Sequence, residues 1–219
     1  MKQVIAFLVA VLLIAFTLFS CNQLPAVDKD MNPQAFFSQY EVLTSLYGTP
    51  WRDTLEKIGV GLSDVTADGL SNVLIPQKED YAGVTFDVFL RFGGSDNHFS
   101  GVRYSATYAD PEDEEQMLRD LVKINRKLID DLGDSFDTSF VFNWVENSMG
   151  ENWNREIPYW QDMQVIKRLI DNDFGGYLLR WNLDSIANAQ IKSLGVKHSL
   201  RIDATIDKQE GTATISIYY

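Results

Sequence analysis

The chain has 219 residues, with 19 basic and 31 acidic side chains and a formal charge of −12. That surplus of acid argues against nucleic acid as a partner, because nucleic-acid-binding surfaces are basic, and against broad electrostatic docking on anionic lipid. A composition that is 45% hydrophobic and 12% aromatic supplies a sizeable core and rules out a disordered chain.

The first element is a secretory signal over residues 1–20. Lys2 is a minimal positive start, Val4 to Phe19 form an apolar run with Thr17 its only polar member, and small Ser20 follows. The run is shorter than the ~20 residues that span a bilayer comfortably and longer than a usual signal core. Its length alone allows a cleaved signal or an uncleaved anchor.

The stretch LFSC at 18–21 resembles the lipobox of bacterial lipoproteins, with Leu18, Ser20 and Cys21 at the matching places. Phe19 departs from the Ala, Ser, Thr or Val usual there. The resemblance covers only these first residues. It implies a diacylglycerol thioether on Cys21, cleavage between Ser20 and Cys21, and an acyl group such as palmitate on the new amine. The protein would then sit on the cell membrane or outer membrane, facing outside the cytoplasm. Two or three acyl chains, at about 0.8 kcal/mol per buried methylene, make such an anchor effectively permanent. Cys21 is the only cysteine, so no disulfide and no second thiol nucleophile can form. Removing residues 1–20 takes away Lys2 alone among the charged residues and leaves a formal charge of −13.

Residues 21–33 read as the lipidated N-terminus and a short polar tether, which keeps the domain within about 40 Å of the bilayer. The remainder, 34–219, suits a single α+β domain or two intimately packed halves, about 34–133 and 134–219. Asn32 and Pro33 open a helix with Phe36, Tyr40, Leu43 and Tyr47 at helical spacing, ended by Gly48. Thr49 and Pro50 open a shorter one through Leu55 and Ile58 to Gly59. Val84, Phe86, Val88, Leu90 and Phe92 alternate with Thr85, Asp87 and Arg91. After a turn, Val102, Tyr104, Ala106 and Tyr108 alternate with Arg103, Ser105 and Thr107, completing a hairpin. The acidic start at 110–115 leads into Met117, Leu121, Ile124 and Leu128, and Gly133 stands beyond the end.

Phe140, Phe142 and Trp144 make a further alternating run, and Tyr177, Leu179, Trp181 and Leu183 another. A helix is expected after residue 158. The last hairpin pairs Leu200, Ile202, Ala204 and Ile206 with Ala213, Ile215, Ile217 and Tyr219. Short turns between neighbouring strands predict a mostly antiparallel sheet with helices on one face and the other face partly wet.

Chemistry-bearing patterns are sparse. His98 and His198 are the only imidazoles, and Ser100 near His98 has no G-x-S-x-G elbow around it. Two histidines without H-E-x-x-H give no transition-metal motif. Asp28, Asp30 and Asn32 begin a calcium-loop pattern, but Pro33 falls where glycine is needed; Asp171 and Asp173 lack the closing carboxylate. The carboxylates at 110–115 are explained by helix capping and the helix dipole. No catalytic, metal or cofactor site is therefore assigned, and an enzyme is not expected.

Four of the five tryptophans fall between 144 and 181. Trp144 and Trp181, on alternating faces, are expected in the core. Trp153, Tyr159 and Trp160, in or beside a loop, are the candidate ligand or partner surface, a protein-binding hot spot or a platform for sugar rings. The expected function is a lipid-anchored protein-interaction or envelope-accessory module. A carbohydrate- or peptide-binding lipoprotein is the alternative, and a hydrolase a more distant third.

Overall fold

The structure, a computed structural model, describes residues 37–68, 71–93, 97–109, 113–133, 136–137, 158–171, 177–207 and 209–219. The signal, Cys21, the tether, the 140–144 run, Trp153, Asp28, Asp30, Asn32 and Asp173 lie outside the described residues.

Helix α1 (Tyr40–Thr44) is shorter than its apolar spacing predicts and continues as turns to Gly48. Its buried side, Tyr40 and Leu43, joins Phe37, Leu46 and Tyr47 in the core. Helix α2 (Trp51–Lys57) starts after Pro50, whose carbonyl accepts the Thr54 hydroxyl at 3.0 Å.

Four strands follow as a meander: β1 (Thr66–Asp68), β2 (Asn72–Tyr81), β3 (Val84–Gly93) and β4 (His98–Tyr108). The hairpin expected from the alternation is β3 with β4, pairing Val88 with Tyr104 and Leu90 with Val102. Strand β2 was not readable from its pattern. Pro76 cannot donate to a ladder, and the chain accommodates it at a register shift between Ile75 and Lys78, so the strand survives as two paired stretches.

Helix α3 (Glu114–Leu132) buries Met117, Leu118, Leu121, Ile124, Leu128 and Leu132 along one stripe, with Glu114 and Glu115 in its first turn. Beyond it come β5 (Phe136–Asp137), a 3₁₀ turn at Tyr159–Gln161, α4 (Met163–Asp171), β6 (Tyr177–Asn182), α5 (Ala189–Leu194), β7 (Ser199–Asp207) and β8 (Thr212–Tyr218). Among the described residues these strands form one sheet in the order β1-β2-β3-β4-β8-β7-β6-β5, and every pairing is antiparallel. The fold is α+β, with the helices packed on one face of the sheet.

The two halves meet where β4 pairs with β8, Tyr104 opposite Ile217. Their strand order mirrors about that seam, but among the described residues their element order differs. Both short helices of the first half precede its strands, whereas α4 and α5 interrupt the strands of the second. One register line crosses the covered face: Ile75, Val88, Tyr104, Ile217, Ile202 and Leu179 on six successive strands, all buried. Polar ties fasten helices to this layer. Tyr81 donates to Asp131 of α3 at 2.7 Å, the Trp181 indole N–H donates to the Gly133 carbonyl at 3.0 Å, and Lys167 of α4 pairs with Glu114. Among the described residues no helix is long and apolar enough to cross a membrane.

Candidate functional site

The opposite face of the sheet carries the strand residues one step out of phase. Its register line runs Phe89, Arg103, Tyr218, Arg201 and Arg180 across β3, β4, β8, β7 and β6, and reaches Asp137 of β5. Arg180 and Arg201 are directly opposite one another, an arrangement that costs rather than stabilises in a sheet. Arg91, two residues beyond Phe89 on β3, leans toward the same centre.

Tyr218 organises this cluster. The Arg201 guanidinium lies 4.3 Å from its ring centroid and that of Arg91 lies 5.5 Å away, while Arg103 stacks at 4.1 Å on Phe89. Such cation–π contacts hold planar guanidinium forks without neutralising them. Arg201 also meets Asp203 at 3.6 Å on its own strand. Burial raises the Asp203 carboxyl above its ordinary range, and Arg201 draws it back.

Where β4, β7 and β8 end together, a pocket of about 210 Å³ opens. Arg91, Arg180, Arg201 and Lys197 line it together with Ser100, Ser199 and Tyr218, and Tyr47, His198 and Tyr219 form its inner part. Among its described lining residues four are cations and none is a carboxylate side chain, in a chain where acids outnumber bases 31 to 19. Among the described residues Arg91, Arg180 and Lys197 have no ion-pair partner. The pocket edge depends on Gly101, whose φ of +154° lets β4 press against the end of the chain; a Cβ there would stand 2.5 Å from the Tyr219 carbonyl. That carbonyl accepts the Val102 N–H at 2.9 Å.

His198 at the inner wall is only 3% exposed and sits among Tyr40, Tyr47 and Tyr219. Its Nε2 meets the Tyr40 hydroxyl at 2.5 Å, and its backbone N–H donates to Asp184 at 2.7 Å. Burial pushes the imidazole down to about 4, against a smaller pull from Asp184. At neutral pH it is therefore an uncharged core group, poorly suited to general-base work. Burial likewise raises the Tyr47 hydroxyl, with Arg91 opposing.

The residues singled out from sequence fall elsewhere. Tyr159 is 3% exposed and belongs to the core, which corrects its assignment to a partner surface: its 3₁₀ turn is drawn under α3, where Asn125 donates to the Trp160 carbonyl at 3.1 Å. Trp160 is half-buried and packs on the same core. Trp181 is fully buried, as its alternating position predicts. His98 opens β4 and bridges to Pro50, and the Ser100 hydroxyl is spent on the Arg91 carbonyl at 3.2 Å. Asp171 closes α4 beside Lys167. Among the described residues no group of three His, Cys, Asp or Glu side chains is placed to hold a metal.

A second, more apolar pocket of about 290 Å³ lies between Trp51 and the ends of β1 and β2. The basic cluster is what sequence reading missed. Arg91 and Arg103 were visible at the polar positions of their strands, but Arg180 and Arg201 join them only through the β4–β8 seam and the β6–β7 register. Chemically, the cluster can take an oxyanion, since among the described residues the Arg91 and Arg180 guanidinium groups have no ion-pair partner and converge with Arg201, which meets Asp203. Comparisons of the chain with family models, with known proteins and with solved structures each gave no match.

Proposed function

We propose that the protein is a lipid-anchored, extracytoplasmic binding module that acts in the cell envelope by engaging another protein. The observation that supports this reading most is the cationic line on the sheet face opposite the helices, where Arg180 and Arg201 are exposed: cations held in register around Tyr218, at an energetic cost to the sheet, beside a pocket open to solvent. Residues that lower stability yet persist in a packed register are characteristic of binding surfaces. An aromatic platform for sugar rings is less well supported, because Tyr159 lies in the core.

The test is site-specific photo-crosslinking on intact cells from Thr205, which is exposed on the open face, with Glu56 on the helical side as control. The reading expects one defined protein adduct from Thr205 and none from Glu56. Adducts spread over bulk membrane proteins would count against it. The anchor has its own test. Cys21→Ala should abolish lipid labelling and leave uncleaved precursor, and unchanged processing would refute the anchor.

A further inference from the structure

We infer that the pocket at the ends of β4, β7 and β8 is a docking site for an acidic segment of the partner protein, seating a carboxylate among Arg91, Arg180, Arg201 and Lys197. This rests on the binding-module reading and names the chemistry of its partner.

Three observations converge on an acidic polypeptide. The first is charge. A chain of net charge −12 concentrates four cations around one pocket with no carboxylate side chain among its described lining residues, so the pocket attracts what the rest of the surface repels. The second is geometry. Tyr218 holds Arg201 and Arg91 against its ring, which leaves the Arg91 fork and the Arg201 terminal N–H groups, those not facing Asp203, to donate to a planar carboxylate, and orders the forks before the ligand arrives. The third is the rim. Leu194 and Val196 are exposed on the turn that delivers Lys197, and Leu194 lies over Gly48. An apolar pair beside a cationic pocket suits a peptide that carries leucine-like side chains next to its acids.

An anionic bilayer offers oxyanions too, but it would have to accept the whole acidic domain along with the pocket, and the repulsion grows as the face approaches. A free phosphate would use the cations and leave Leu194 and Val196 without a role.

The experiment is fluorescence anisotropy of a labelled, capped peptide alternating Glu and Leu, titrated with the full chain in neutral detergent. Competitors are the unlabelled peptide, its Gln counterpart, inorganic phosphate and a short-chain, water-soluble phosphatidylglycerol. The proposal expects saturable binding that weakens with salt and is displaced by the acidic peptide alone. Arg180→Gln and Lys197→Gln should each weaken it about tenfold, the worth of one charge-assisted contact. Both side chains are exposed, so the variants should melt within a degree or two of the wild type, roughly the effect of a surface substitution.

No binding, equal binding by the Gln peptide, or unchanged affinity in both variants would overturn the proposal. Displacement by phosphate or phosphatidylglycerol as strong as by the acidic peptide would also overturn it, in favour of a small-anion or lipid site. A defined crosslink from Thr205 that Arg180→Gln leaves intact would sink the pocket assignment while the binding-module reading stands. Loss of any defined adduct in the wild type would sink that reading itself.

Discussion

Two register lines one residue apart cross the sheet, and they differ in almost every physical respect. On the covered side Ile75, Val88, Tyr104, Ile217, Ile202 and Leu179 are buried against the helices. On the open side Phe89, Arg103, Tyr218, Arg201 and Arg180 stack cations on aromatic rings and set arginine opposite arginine. The inner line is what folding free energy selects, since each buried aliphatic side chain contributes about 1.5–3 kcal/mol. The outer line is what folding alone would avoid. The same strands therefore answer two demands at a period of two, and the contrast separates residues that hold the fold from those available to bind.

Breaking the inner line should cost most. Ile217→Ala removes a fully buried side chain at the seam where the halves join, and urea unfolding should show a loss of about 3–4 kcal/mol. A loss below about 1 kcal/mol would mean that the seam is loosely packed.

The next effect lies at the inner wall of the pocket. Unfolded, the His198 imidazole takes a proton near its ordinary 6.5; folded, burial among Tyr40, Tyr47 and Tyr219 delays this to about 4, with Asp184 pulling the other way. The folded value is depressed, so this contribution is complete above pH 6.5 and is lost as the pH falls through that window. It amounts to about 3 kcal/mol. Urea titrations at neutral pH and near pH 4 should show that loss in the wild type and a smaller one in His198→Gln. Equal losses in both would place the acid sensitivity elsewhere, for example at Asp120, whose carboxyl Lys123, Gln116 and Tyr108 hold below its ordinary value despite burial.

Much of the covered face could be read from the chain. The β3–β4 hairpin, the last hairpin, the α3 stripe and the burial of Trp181 all follow from apolar spacing, because a residue's face is set by its place in a local period. Three features could not be read this way. Strand β2 hid behind Pro76 until the bulge after Ile75 explained it. Tyr159 looked like a loop aromatic because nothing local shows that its turn is drawn under α3. The arginine line was invisible because Arg103 and Arg201 flank Tyr218 only after β8 has inserted between β4 and β7. Periodicity reports which face a residue takes, whereas a site depends on which strands become neighbours.

The smallest expected effect on stability is the sharpest probe of the contrast. Arg180→Gln on the open face should change the unfolding free energy by no more than about 0.5 kcal/mol, because it removes a like-charge neighbour, Arg201, and an opposite-charge one, Asp137, at once. A clear destabilisation would mean that the outer line is structural after all.

The central claim, that the open face carries a cationic site for an acidic partner, is tested most directly by the melting temperature of the full chain with and without the acidic peptide. A ligand that binds only the folded state raises it. A cationic docking site gives a peptide-dependent rise in the wild type that disappears in the Arg180→Gln, Lys197→Gln double variant, although that variant melts as high as the wild type when alone. An equal rise in both proteins, or none in either, would contradict it.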